Sequence, residues 1–298
     1  MVISEQNKSI KTDQPMLRYL GVLALICLVY IIGNLPAALL YALLPGTSSD
    51  LVLALGEAYG HSLSFVLLML PWVLVCLSFF PITKLLLGWS FTFGITNRSK
   101  VDWNRILFGF GVWFVISIGS FLLTKNEHVL YNFNFEKFIP LVFVASIILL
   151  LQCAAEELVF RSLLYRIGLQ FLGNAWLSVI FTGVVFGLLH GSNPEVQALG
   201  SIAFVFYIGT GIFLGLLRAI DNGLELSIGF HFANNLFAAL IVTSNWQVFQ
   251  TDALFLDTNP PSFDWTDFIL LFGGQLAFFA ICWYRYKWNF QTINSTKF

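Results

Sequence analysis

The chain predicts an all-α fold, a polytopic membrane protein built as a helical bundle of about eight transmembrane helices, and three observations carry that expectation. Of its 298 residues 58% are hydrophobic and 10% are charged, against about 45–50% apolar and about 25% charged in a soluble domain. The mean hydropathy is +0.81. The apolar residues are gathered into uncharged runs, and a hydrocarbon core about 30 Å thick takes about 17–25 helical residues to cross.

Eight runs meet that length, in the order Tyr19–Leu44, Ser62–Thr83, Ile106–Leu123, Phe138–Ala155, Gly173–His190, Val196–Leu217, Leu226–Thr243 and Phe268–Tyr284. The first is too long for the apolar part of a signal peptide, about 7–15 residues, and is expected to stay as a span. Pro36 and Pro71 fall inside the first two and are expected to kink them. The fourth leads straight into Glu156 and Glu157, so its helix is expected to run on past them. The longest polar intervals, Thr124–Lys137 and Ser244–Asp267, are too short to fold alone, because independent domains are rare below about 40 residues. Residues 1–298 therefore read as one transmembrane domain, with residues 1–16 as a cytoplasmic N-terminal tail.

Basic residues orient the bundle, because positive charge in short loops stays cytoplasmic. Loops assigned to alternate sides put 13 of the 15 basic residues on one side, among them Lys8, Lys11 and Lys297 near the termini, and leave Lys125 and Lys137 opposite. Both termini are expected in the cytoplasm. Trp89, Trp103, Trp176, Trp246, Trp265, Trp283 and Trp288 lie near span ends, where interfacial anchors belong. A net charge of −1 without a basic cluster gives a nucleic acid nothing to bind. Cys27, Cys76, Cys153 and Cys282 lie in apolar runs without C-x-x-C spacing, so they imply neither disulfides nor zinc.

Ionisable groups inside a span are costly and usually pair or do chemistry. Glu157 and Arg161 are four residues apart and share a helix face, whereas Glu156 points about 100° away from Glu157. Glu157 is expected to neutralise Arg161 and leave Glu156 free. A carboxylate in poorly solvated surroundings becomes more basic, which suits a general base for water. His190 and His231 lie in later apolar runs, whereas His61 and His128 fall in expected loops. Asn235 stands four residues after His231 on the same face, with Asn234 a weaker alternative at three. An imidazole and an amide side by side can donate two hydrogen bonds to a developing oxyanion. Taken alone, each histidine also reads as an interhelical hydrogen-bonding residue. Helix rise puts Glu156 about 15 Å, His190 about 24 Å and His231 about 10 Å from the cytoplasmic end, a spread that tilt of about 20° closes only in part.

At these residues the chain resembles the CPBP family of intramembrane proteases, the CAAX prenyl proteases and bacteriocin-processing enzymes also called the Abi family. Its pattern E-E-x-x-x-R, F-x-x-x-H, H-x-x-x-N reads here as Glu156-Glu157 with Arg161, Phe186 with His190, and His231 with Asn235, over roughly Leu141–Leu240. The resemblance implies an endopeptidase in which Glu156 and His190 activate water while His231 and Asn235 hold the oxyanion, with a membrane-embedded or lipidated peptide or protein as substrate. Prenylated C-a-a-X termini serve part of the family. Many members have glycine where this chain has Ser162, which bears on helix packing.

No cofactor is expected. The alternative is zinc at Glu156, His190 and His231, but the pairing of His231 with Asn235 is better explained by two donors aimed at one oxygen. The chain lacks H-E-x-x-H, G-x-S-x-G and Gly-x-Gly-Asp, and Ser192 in Gly191-Ser192-Asn193-Pro194 reads as a turn. A transporter should show repeat symmetry, and the two halves show none. The remaining alternative is a non-catalytic membrane adaptor or bacteriocin-immunity protein.

Overall fold

The computed structural model describes residues 14–45 and 51–290. Most of the expected tail at 1–16, with Lys8 and Lys11, lies outside the described residues, as does Lys297. Helices α1 (Met16–Ala42), α2 (Leu51–Tyr59), α3 (His61–Leu87), α4 (Phe91–Ile95) and α5 (Trp103–Thr124) precede strand β1 (Val129–Tyr131). Helix α6 (Phe135–Glu157) runs on through a π-helical segment, Leu158–Leu164, into α7 (Tyr165–Leu172). Then come α8 (Ala175–Leu189), α9 (Pro194–Leu199), α10 (Ile202–Asp221), α11 (Glu225–Leu240), β2 (Val242–Ser244), β3 (Phe255–Asp257) and α12 (Trp265–Tyr286).

Every one of the eight apolar runs is thus largely helical, but among the described residues only six helices are long and apolar enough to cross a membrane: α1, α3, α5, α6 with its extension to Leu172, α10 and α12. The other two, α8 and α11, have 15 and 16 residues, and they are the ones next to or carrying the histidines. Glu225 through His231 are all buried. A helix end enclosed by protein can stop at membrane depth, because protein groups rather than lipid meet its unpaired backbone groups. The sixth run is also divided, since Gly200 at φ +73° ends α9 and α10 starts afresh at Ile202.

The polar intervals carry a small sheet: β1 pairs antiparallel with β3, Leu130 opposite Leu256, and β2 pairs parallel with β3, Thr243 opposite Leu256. This small sheet joins the α5–α6 connection to the chain after α11. Trp89 and Trp288 are buried rather than interfacial. Arg166 lies 4.7 Å over the Trp89 ring, and Trp288 donates to Asp221; both indoles close the protein's own core. Trp103, Trp176 and Trp265 are exposed as anchors should be. His61 is the first residue of α3, not a loop residue.

Two close approaches position the site helices. A Cβ on Gly211 of α10 would lie 2.7 Å from the Gly183 carbonyl oxygen of α8, so those helices touch backbone to backbone. A Cβ on Gly229 of α11 would collide with the Ile106 carbonyl of α5. The start of α11 is also clamped by charge. Arg98 donates to Asp221 Oδ2 at 2.7 Å and Glu225 Oε2 at 2.9 Å, Arg105 and Trp288 both donate to Asp221 Oδ1, and the Asp102 N–H donates to Glu225 Oε1 at 3.2 Å. Burial of the Arg98 guanidinium favours its neutral form, but Asp221 and then Glu225 outweigh that and hold the group more basic than usual.

Candidate active site

Helix α6 brings Gln152, Glu156 and Glu157 to its last two turns, all buried. The π-helical segment starts at the next residue, and such local widenings are frequent at functional sites. Arg161 lies within it, fully buried. Its Nη1 donates to Glu157 Oε1 at 3.2 Å, its Nη2 donates to the Gly211 carbonyl at 3.2 Å, and its guanidinium sits 4.2 Å from the centre of the Phe186 ring. The expected Glu157–Arg161 pair is therefore present, and it bridges α6 to α10 where the glycine contact lets α10 approach.

Glu157 has a second task that the sequence reading did not assign. His231 Nδ1 donates to Glu157 Oε1 at 2.9 Å. That bond aims the opposite ring nitrogen, Nε2, at Glu156 Oε2, 3.5 Å away, because fixing one imidazole nitrogen orients the other. Glu156 Oε1 accepts from Gln152 Nε2 at 2.6 Å, while Oε2 has no hydrogen-bond partner among the described residues. The Asn235 amide donates to Gln152 Oε1 at 3.0 Å. Asn234, the weaker alternative, instead accepts from the Trp113 indole at 3.3 Å and donates to Asn235 at 3.2 Å.

His190 is the least integrated of the six candidates. It caps α8, half-buried, with Nδ1 donating to the Phe186 carbonyl at 2.7 Å and its ring stacked on Tyr207 at 4.4 Å. The Phe186 ring lies 4.4 Å from the His190 ring and 6.0 Å from the His231 ring. Phe186 thus spans the depth separating the two histidines, and no hydrogen bond or ion pair among the described residues joins His190 to Glu156. Nor is any group of three or more His, Cys, Asp and Glu side chains among the described residues placed to hold a metal ion. The alternative zinc set of Glu156, His190 and His231 is not gathered among the described residues, although the His190 Nδ1–H on the Phe186 carbonyl leaves Nε2 uncommitted.

Sequence reading missed Gln152, which lay unremarked in the run Phe138–Ala155. Its one available signal was position: the sole amide in that run stands one turn before Glu156, on the same face. Trp113 and Tyr207 had no such signal. The departure at Ser162 is accommodated by hydrogen bonding, its buried hydroxyl donating to the Gly94 carbonyl and accepting from Arg166, both at 2.6 Å. Ser192 lies in the turn after α8, and all four cysteines are free.

Residues 138–237 match the family described as type II CAAX prenyl endopeptidase Rce1-like. The chain is also 31% identical over 201 residues to "Uncharacterized protein YyaK" of Bacillus subtilis (strain 168), an alignment covering 65% of this chain and 66% of that protein. The chain therefore spans just under two thirds of that relative's length. No solved structure matches.

Proposed function

Because residues 138–237 match the Rce1-like type II CAAX prenyl endopeptidase family, we propose that this integral membrane protein is an endopeptidase that hydrolyses a peptide bond in a membrane-associated or lipidated protein. The observation that carries the reading is a buried carboxylate with one oxygen left over: Gln152 holds Glu156 Oε1, while Oε2 has no partner and faces His231 Nε2 at 3.5 Å.

In this reading Glu156 Oε2 accepts a proton from water, and the hydroxide attacks the scissile carbonyl carbon. The Asn235 amide and His231 Nε2 donate to the resulting oxyanion, the largest single term in much acyl-transfer catalysis. With Nδ1–H given to Glu157, a ring that also donates from Nε2 carries both protons, and Glu157 is then its counter-ion. Collapse of the intermediate expels the amine, which takes back the proton held by Glu156. His190 contributes through Nε2 alone, its other nitrogen being committed to the Phe186 carbonyl. No step requires a metal ion.

The test is cleavage of a farnesylated, C-a-a-X-terminated peptide by the purified full chain in lipid nanodiscs. Cleavage that survives a chelator and is lost in Glu156→Gln is the expected result. Turnover that stops with the chelator and returns with zinc would overturn the metal-free mechanism, and a wild type that cleaves no peptide would favour the non-catalytic adaptor. The proposed orientation, both termini cytoplasmic, is tested by cysteines at Ser99 and Thr258 treated with an impermeant thiol reagent outside intact cells. Only Thr258→Cys should react; labelling confined to Ser99→Cys would invert the molecule.

A further inference from the structure

We propose that Gln152 is the positioning residue of this site, its single side-chain amide locking the carboxylate of Glu156 and the amide of Asn235 to each other. The inference rests on reading Glu156 as the base and Asn235 as an oxyanion donor. Gln152 is 4% exposed in an otherwise apolar stretch of helix, where an aliphatic side chain would pack without a desolvation penalty. Its two polar ends are both used, one along α6, where Nε2 donates to Glu156 Oε1 at 2.6 Å, and one across the α6–α11 contact, where Oε1 accepts from the Asn235 amide at 3.0 Å. Cys153 Sγ, 3.1 Å away, donates to the same oxygen.

The direction of this row is fixed by chemistry. An ionised carboxylate only accepts, so Gln152 turns its NH₂ to Glu156 and its carbonyl to Asn235. Asn235 must then present its own NH₂, leaving its carbonyl to accept from Asn234 at 3.2 Å, whose carbonyl accepts from the Trp113 indole at 3.3 Å. Every donor points the same way, from α5 through α11 to Glu156, and hydrogen bonds aligned in series polarise one another.

Two consequences follow for the reaction. Glu156 cannot turn about its terminal bond without giving up the Gln152 contact, so Oε2 is kept toward His231 as the atom that takes the proton. Asn235 has a second N–H in a plane that Gln152 sets, available to the oxyanion. Losing Gln152 leaves both groups in place but free to sample other rotamers, which lowers the rate of the chemical step more than the binding of substrate.

Infrared difference spectroscopy of the full chain in nanodiscs tests the lock without a substrate. The Glu156 carboxyl stretching band is identified by its absence from Glu156→Gln. It should move in Gln152→Leu, which removes the donor, and in Gln152→Asn, which keeps an amide in the pocket but ends one methylene short. With the farnesylated peptide, Gln152→Leu should lower kcat about 10–100-fold, the usual range for a supporting residue, and leave KM unchanged. If Gln152→Leu fails to insert, Gln152→Asn carries both measurements. A band at the wild-type position in the variants, or a loss confined to KM, overturns the inference. Failure of the proposed function would look different: the wild type would cleave no peptide, or Glu156→Gln would cleave at the wild-type rate, while the band still moved in the Gln152 variants.

Discussion

Two buried clusters of carboxylates and arginines lie along α11, and they differ in how completely their carboxylates are satisfied. Where α10 gives way to α11 all four oxygens of Asp221 and Glu225 accept hydrogen bonds, from Arg98, Arg105, Trp288 and the Asp102 N–H, although two nitrogens of the buried Arg218, Nε and Nη1, lack partners among the described residues. One to two turns further on, around Glu156, Glu157 and Arg161, three buried polar atoms lack partners among the described residues: Glu156 Oε2, Glu157 Oε2 and Arg161 Nε. A buried polar group without a partner costs about 1–3 kcal/mol, more if charged. The first cluster is built as a clamp. The second holds less than it could, and one of its three unpartnered atoms is the Glu156 oxygen proposed to receive a proton.

The comparison breaks most sharply in activity. Glu156→Gln should lower kcat by about 10²–10⁴-fold, the usual contribution of a positioned acid or base, with little change in melting temperature. His231→Ala and Asn235→Ala should approach that loss, and the combined variant should be scarcely worse than the worst single one, because such groups act as a unit. Additive losses in steady-state kinetics would show that they do not.

Stability should respond most to the pair that serves both roles. Glu157 and Arg161 are each fully buried, so Glu157→Gln or Arg161→Ala strands its partner and should cost about 3–5 kcal/mol, read as a large fall in melting temperature. Glu157→Gln should also reduce kcat, since His231 loses its orienting acceptor. A Glu157→Gln protein that melts with the wild type would remove the pairing from the account.

In the clamp the order should reverse, stability before rate. Asp221→Asn weakens the contacts to Arg98 and Arg105, whose side chains are 25% and 18% exposed, and should cost about 1–3 kcal/mol while kcat per folded molecule stays near wild type. A selective loss of kcat would mean that the clamp also sets the height of His231. The smallest effect is expected of Trp288→Phe, which deletes one of the two donors to Asp221 Oδ1 and should cost about 0.5–1.5 kcal/mol in thermal unfolding, with no kinetic consequence.

By itself the sequence determined the class of fold, the eight helical segments, and the candidates Glu156, Glu157, Arg161, His190, His231 and Asn235. Those features are local: an uncharged run declares a helix by its length, and an i,i+4 pair shares a face whatever surrounds it. Only the tertiary structure decided which runs are full spans, because whether α11 can stop short depends on the neighbours that bury its first two turns. Only packing made Gln152 a partner of Asn235, 83 residues away, and gave Glu157 to His231, 74 residues away. The axial spread that helix rise assigned to the histidines is bridged by a side chain, Phe186, reaching across where Gly183 and Gly211 let α8 and α10 meet. One-dimensional spacing gives depth along a helix, but the reach of a side chain toward another helix depends on how closely their backbones approach.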